Sequence, residues 1–110
     1  PVHITIRDVT PMGALRRLVL DTLKPHVPNI VEMAVQLSDL PGVEAVNISI
    51  YEMDLQVENA KITIEGPSID FQQVAQRIRD DGATIHSIDE VVAGRSIIDD
   101  SSTPQDPYQG

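Results

Sequence analysis

The segment from Gly42 to Gly66 constrains the fold more than any other part of the chain, because it has the pattern of a β-hairpin. Apolar side chains occupy alternate positions on both sides of a short charged tip: Val46, Ile48, Ile50, Ile62 and Ile64. Alternation with a period of two places these side chains on one face of the hairpin and polar side chains on the other. The apolar face therefore needs a covering layer.

Two segments that flank the hairpin have the spacing of amphipathic helices and supply that layer. Their apolar positions recur every three to four residues: Ile30, Met33, Ala34, Leu37 and Leu40 in the first, and Phe71, Val74, Ala75 and Ile78 in the second. Asn29 and Asp70 have the side chains and positions of helix N-caps. Gly42 and Gly82 follow the two helices and allow the chain to turn away.

Two further strands are predicted, over Ala14–Leu23 and Thr84–Val92. In the second, Ile85 and Ile88 fall on opposite faces under strict alternation, so we expect a β-bulge or unequal burial there. The order β-α-β-β-α-β with right-handed crossovers predicts an α+β, ferredoxin-like fold. Its antiparallel sheet has the spatial order 4-1-3-2, and both helices lie on one face. This domain is expected to cover residues 12–98.

The two ends of the chain fit this domain poorly. Residues 1–11 precede a Thr-Pro break and are interpreted as an N-terminal extension or leader, with an added edge strand as the competing interpretation. Residues 99–110 are rich in Asp, Ser, Pro and Gln, and we predict a flexible C-terminal tail because they have little apolar surface to bury.

Charge and composition narrow the classes of function. The chain has 17 acidic and 8 basic residues, a net charge of −9, and no cysteine. A negative surface argues against a nucleic-acid partner, and the absence of cysteine excludes disulfides and thiolate metal sites. No apolar run approaches the length of a membrane span, so we predict a cytoplasmic protein with no membrane partner. The Asp-rich, lysine-poor composition indicates a halophilic source or, alternatively, an ordinary acidic cytosolic protein.

Catalytic motifs are not recognisable in the sequence. It lacks a glycine-rich phosphate loop, a nucleophile elbow and a helix with paired histidines. His26 lies between two prolines and His86 on a predicted strand, where structural or surface roles are more common than catalysis. We therefore predict that the protein is not an enzyme, and we assign no catalytic residue.

Four segments carry a resemblance to a known family. They are LDTLKPH at 20–26, GVEAVN at 42–47, IHSIDEVVAG at 85–94 and TPQD at 103–106. Over residues 12–106 the chain resembles a small archaeal family catalogued as domain of unknown function 211. The resemblance implies a ferredoxin-like fold, an archaeal origin and a ring-like homo-oligomer, and it implies no established activity.

A sheet with both helices on one face leaves its other face uncovered. We expect this face to receive a small molecule or another subunit, in a homo-oligomer larger than a dimer with a binding or regulatory role. The polar residues expected on this uncovered face of the sheet are Arg17, Asp21, Asn47, Ser49, Tyr51, Lys61, Thr63 and Glu65. A protein with a purely structural role in assembly is the other possibility. No cofactor is assigned with certainty.

The alternative function is binding of a hard divalent cation, Ca²⁺ or Mg²⁺, by carboxylates. If Ile50 lies opposite Ile62, then Asp54 faces Glu58 across a three-residue tip, and Glu52 shares their face by parity. A divalent cation would relieve the repulsion of these three carboxylates. A solvated acidic tip is the simpler interpretation.

Asp89 and Glu90 on the last strand are the second-choice metal ligands. As metal ligands they could be joined by groups across a subunit boundary; the simpler interpretation is a solvated strand end or an interface pair.

Overall fold

A computed structural model describes residues 13–100, and the predicted N-terminal extension and most of the predicted tail lie outside this range. The elements are β1 (Leu15–Pro25), α1 (Ile30–Ser38), β2 (Ala45–Met53), β3 (Val57–Glu65), α2 (Phe71–Asp80) and β4 (Thr84–Ala93). The four strands pair antiparallel in the order β2-β3-β1-β4, which is the predicted order viewed from the opposite edge. The ferredoxin-like fold is confirmed.

Both helices begin where the sequence predicts, because a side chain caps each of them. Asn29 Oδ1 accepts a hydrogen bond from the backbone N–H of Glu32 at 2.9 Å. Asp70 Oδ1 accepts from the N–H groups of Gln72 and Gln73 at 2.9 and 3.3 Å. These bonds satisfy donors that a helix leaves free in its first turn.

The core lies between the helices and one face of the sheet. α1 packs over β2 at one side, and α2 approaches β4 at the other. The buried apolar cluster draws on both helices and on the two central strands: Leu18, Leu20, Met33, Leu37, Ile62, Ile64, Ile69, Val74, Ile78 and Ala83. The opposite face of the sheet has no helix over it among the described residues.

The irregularity predicted for the last strand is present. In the pairing of β1 with β4, Leu20 lies opposite Ile88 and Thr22 opposite Ile85, with register shifts on both sides of the Asp21–Ser87 pair. The shifts bring both isoleucines to the helix-facing side of the sheet, although Ile88 remains 50% exposed. The predicted β-bulge is confirmed.

The predicted register of the hairpin is wrong by two residues. Ile48, and not Ile50, lies opposite Ile62, while Ile50 lies opposite Ala60. The observed register makes three apolar pairs on the buried face, because Val46 then meets Ile64. The predicted one would place Val46 opposite a glycine. Burial of apolar pairs therefore favours the observed register.

A β-bulge at Tyr51 changes the face of the residues that follow. Ile50 pairs with Ala60, and the next pair is Glu52 with Asn59, so Tyr51 has no direct partner. One extra residue moves every later side chain to the opposite face. Glu52 thus lies with Asn59 on the open face of the sheet and not on the predicted helix-facing side.

Candidate functional site

A groove crosses the open face of the sheet and receives side chains from all four strands. Its volume is about 590 Å³. We call it the open-face groove, and the residues that line it are Arg17, Val19, Asp21, Tyr51, Lys61, Thr63, Glu65, Asp89 and Glu90. Of the polar residues predicted for the uncovered face, all line this groove except Asn47 and Ser49, which lie earlier on β2.

Arg17 is the centre of the charge network in the groove. Its Nε donates to Glu65 Oε2 at 2.7 Å, and its Nη1 donates to Glu90 Oε1 at 3.1 Å and to Asp99 Oδ1 at 2.9 Å. Its side chain is only 16% exposed. The hydrogen bonds to Asp99, then Glu65, then Glu90 raise the pKa of Arg17, so the guanidinium is charged at every accessible pH. Arg17 thus joins β1, β3, β4 and the segment after β4.

The bulged Tyr51 reaches across the groove to β1. Tyr51 Oη donates a hydrogen bond to Asp21 Oδ1. This bond, together with partial burial, raises the pKa of Tyr51, so its hydroxyl stays protonated and remains a donor at neutral pH. The open-face groove therefore contains an aromatic side chain whose hydroxyl is bound by Asp21.

A second polar cluster lies at the end of the sheet next to the hairpin tip, on the helix-facing side. Lys24 Nζ donates to Glu58 Oε1 at 2.8 Å and to the carbonyl of Pro25 at 2.7 Å. His26 Nδ1 lies 2.9 Å from Glu58 Oε2. Lys24 and Glu58 are direct partners in the pairing of β1 with β3. Both side chains are buried, with exposed fractions of 1% and 8%. We call these three residues the hairpin-tip cluster.

The hydrogen bonds within the hairpin-tip cluster shift the pKa values of Glu58 and His26. The hydrogen bonds from Lys24 and then His26 lower the pKa of Glu58. The hydrogen bond with Glu58 raises the pKa of His26 above its ordinary value of 6.5. A buried, fully paired carboxylate has no free oxygen for a substrate or metal, so the cluster joins the hairpin to the end of β1.

The predicted hairpin-tip metal ligands are separated in the structure. Glu58 is held by Lys24 and His26, and Glu52 lies on the other face. Asp54 Oδ1 accepts from the N–H groups of Val57 and Gln56, both at 2.8 Å, and these bonds lower the pKa of Asp54. Across residues 13–100, no three His, Cys, Asp or Glu side chains form a group that could hold a metal ion.

The second-choice ligands both line the open-face groove. Glu90 binds Arg17, and Asp89 Oδ1 accepts from Ser87 Oγ at 2.7 Å. Cation binding at these two residues stays a prediction.

Two charged partners in these clusters were not predicted from the sequence. Lys24 follows Leu20 and Thr22 at alternate positions, so strand parity could have placed it on the helix-facing side. Asp99 lies beyond the last strand, in a segment without periodicity, and no sequence signal connects it to Arg17.

Within the described range, none of the helices is long and apolar enough to span a bilayer.

Comparisons with known proteins identify the family. Residues 16–107 match the profile of the DUF211 family, which is described as "Uncharacterized ArCR". The chain is 53% identical over 97 residues to "Uncharacterized protein MJ0319" of Methanocaldococcus jannaschii, a match that covers 88% of this chain and 100% of the relative. The protein therefore belongs to the archaeal DUF211 family.

Proposed function

We propose that this protein is a homo-oligomeric binding module, in which copies associate through two different apolar patches and leave the open-face groove to a small-molecule ligand. The observation that carries the proposal is that the molecule bears two separate exposed apolar patches, one on the outer face of α1 and one on the edge strand β4.

The first patch lies on α1 and in the loop before it. Val31 and Val35 are one helical turn apart on the outer face of α1, which packs over β2, and Val27 precedes them in the loop. Their exposed fractions are 69%, 58% and 79%. Residues at i and i+4 share one face of a helix. We call these three valines the α1 patch.

The second patch lies at an edge of the sheet, on β4 and just after it. Ile88, Val91 and Ile98 are 50%, 55% and 72% exposed. We call them the β4 patch. The outer side of β4 also has no strand partner among the described residues, so its backbone N–H and C=O groups are available to a second chain.

Two different patches on one chain favour a particular kind of assembly. If the α1 patch of one copy contacts the β4 patch of the next, the contact is heterologous, and an open row of copies has one free patch at each of its two ends. Only closure into a ring covers every patch. This geometry supports an oligomer larger than a dimer.

Such an assembly uses the outer face of α1 and the edge strand β4, and it leaves the open face of the sheet free. The volume of the open-face groove lies in the range of small-molecule sites, and charged and hydroxyl groups line it around one apolar side chain, Val19. Among the hydrogen bonds of the described residues, no hydroxyl group is paired with a histidine, so the proposed role is binding and not nucleophilic catalysis.

Light scattering after size-exclusion chromatography tests the assembly. We expect the wild-type protein to have a mass of at least three times 12.1 kDa at micromolar concentration in molar KCl. Val91→Glu should shift the mass towards the monomer, because it buries an unpaired charge in the β4 patch. Gln72→Glu adds the same charge to the exposed start of α2 and serves as the matched control.

A wild-type mass of one or two chains would contradict the proposal. An unchanged mass for Val91→Glu would contradict the role of the β4 patch. A ligand that binds the folded protein raises its melting temperature. A screen that tests small metabolites and, separately, Ca²⁺ or Mg²⁺ therefore distinguishes small-molecule binding from cation binding.

A further inference from the structure

The segment after β4, residues 94–100, is fastened across one end of the open face by three contacts. The N–H of Gly94 donates to the carbonyl of Ala14 at 2.8 Å, and Arg16 Nη1 donates to the carbonyl of Arg95 at 2.9 Å. The third contact is the ion pair of Asp99 with Arg17. We call residues 94–100 the strap.

The three carboxylates on Arg17 are held in different ways. Glu65 and Glu90 belong to strands, and their side chains are 37% and 35% exposed. Asp99 is 84% exposed and lies in the strap, outside any helix or strand. Exposed ion pairs contribute little free energy, because water competes for both charges. Asp99 is therefore the partner of Arg17 that another carboxylate displaces most easily.

We propose that Asp99 occupies a carboxylate-binding position on Arg17, and that a small carboxylate ligand takes this position by displacing Asp99 and the strap. The inference rests on the proposed function, since it names the chemical class of ligand for the open-face groove. The strap then acts as a built-in competitor that lowers the apparent affinity of the site.

Charge explains why the ligand is a monocarboxylate. The groove is lined by four carboxylates, Asp21, Glu65, Asp89 and Glu90, against only two cations. An added anion would be repelled, but exchange of one carboxylate for another leaves the charge around Arg17 unchanged. A phosphate dianion would bring one more negative charge into this surplus and is disfavoured.

The surroundings of Arg17 define the rest of the ligand. Val19, 8% exposed, forms an apolar floor beside it, and the hydroxyl of Thr63 and the ammonium of Lys61 line the same groove. A short aliphatic stem would rest on Val19 while the carboxylate meets the guanidinium. Arginine is suited to this contact because its guanidinium stays charged and offers N–H donors to a carboxylate oxygen.

An NMR titration with sodium butyrate at constant ionic strength tests the inference. In the wild type, we expect butyrate to move the backbone amide signals of residues 95–100 towards their positions in Asp99→Asn, because both changes release the strap. Asp99→Asn should bind butyrate about two- to fivefold more tightly than the wild type, the gain expected when a weak competing ion pair is removed.

Asp100→Asn removes the same charge from the neighbouring residue and should bind as the wild type does. Equal affinities for Asp99→Asn and the wild type, an equal gain for Asp100→Asn, or no response of any variant to butyrate would overturn the inference. Light scattering on the same samples separates this failure from failure of the proposed function: an intact oligomer without butyrate binding rejects the carboxylate site alone, and a monomer rejects the assembly.

Discussion

Replacing Glu58 by glutamine should destabilise the fold far more than removing an exposed carboxylate from the same hairpin. The glutamine has nearly the same shape, so the change acts mainly on charge. It leaves the ammonium of Lys24, whose side chain is 1% exposed, with the carbonyl of Pro25 and no counter-charge. Removing one partner of a buried ion pair costs about 3–5 kcal/mol. Because His26 is 40% exposed and admits water to one side of the cluster, we expect a loss near the lower end, about 3 kcal/mol.

Urea unfolding followed by far-UV circular dichroism, at a fixed protein concentration, measures this loss. A loss of about 3 kcal/mol corresponds to a fall in melting temperature of roughly 12–24 °C for a domain of this size. Glu52→Gln removes a carboxylate from an exposed position of the hairpin and should change the free energy of unfolding by less than about 0.5 kcal/mol.

The double variant Lys24→Met/Glu58→Gln separates the buried charge from other effects of the substitution. It should recover at least half of the lost free energy of unfolding, because it also removes the uncompensated ammonium. The reasoning is refuted if Glu58→Gln unfolds within about 1 kcal/mol of the wild type, or if the double variant loses the sum of the two single losses.

Three further predictions concern pH, backbone geometry and salt. Because Glu58 raises the pKa of His26, the stability that this pair contributes is complete below about pH 6.5 and is lost as the pH rises through the raised pKa. The difference in urea midpoint between the wild type and His26→Gln should therefore shrink from about pH 5.5 to about pH 8.5. A difference that stays constant over this range would contradict the prediction. Gly42→Ala should abolish folding as judged by circular dichroism, because its Cβ would lie 1.8 Å from the carbonyl oxygen of Ser68. Gly82 has the same φ of +80°, but a Cβ there would meet no atom nearer than 3.5 Å, so Gly82→Ala should lower the free energy of unfolding by only about 1–2 kcal/mol. Similar losses for the two variants would refute the steric argument. The melting temperature should rise with KCl into the molar range as repulsion within a chain of net charge −9 is screened, and a flat or falling curve would remove the halophilic interpretation.

The order of elements and the fold could be predicted from the sequence because they depend on local signals. Alternation identified the strands, Asn29 and Asp70 marked the starts of the helices, and the conflict between Ile85 and Ile88 revealed the bulge in β4. Each of these signals lies within a few residues of the feature that it predicts.

The hairpin register depended on a choice that local alternation does not make. Both registers place isoleucines opposite isoleucines, and the number of apolar pairs on the buried face decides between them. The bulge at Tyr51 then reversed the face of Glu52, and the regular alternation of Val46, Ile48 and Ile50 before it does not mark the change. The predicted metal ligands were separated by these two effects together.

The charged partners of the two clusters could be predicted only in part. The prolines after Lys24 indicated that β1 ends before it, but the strand continues to Pro25, where a terminal position needs no donor. With β1 extended and the register correct, Lys24 would have been placed opposite Glu58. The contact of Asp99 with Arg17 spans 82 residues and follows from the path of the strap, which has no sequence pattern.

Cysteine cross-linking between the two patches tests the proposed assembly most directly, because the wild-type chain contains no cysteine. Val35→Cys and Val91→Cys each introduce one thiol, in the α1 patch and the β4 patch. In an equimolar mixture joined by a short bismaleimide, a heterologous contact predicts links between positions 35 and 91. The double variant should form a ladder that ends at the size of the ring on a denaturing gel. Links that join 35 to 35 or 91 to 91, without links between 35 and 91, would contradict the account.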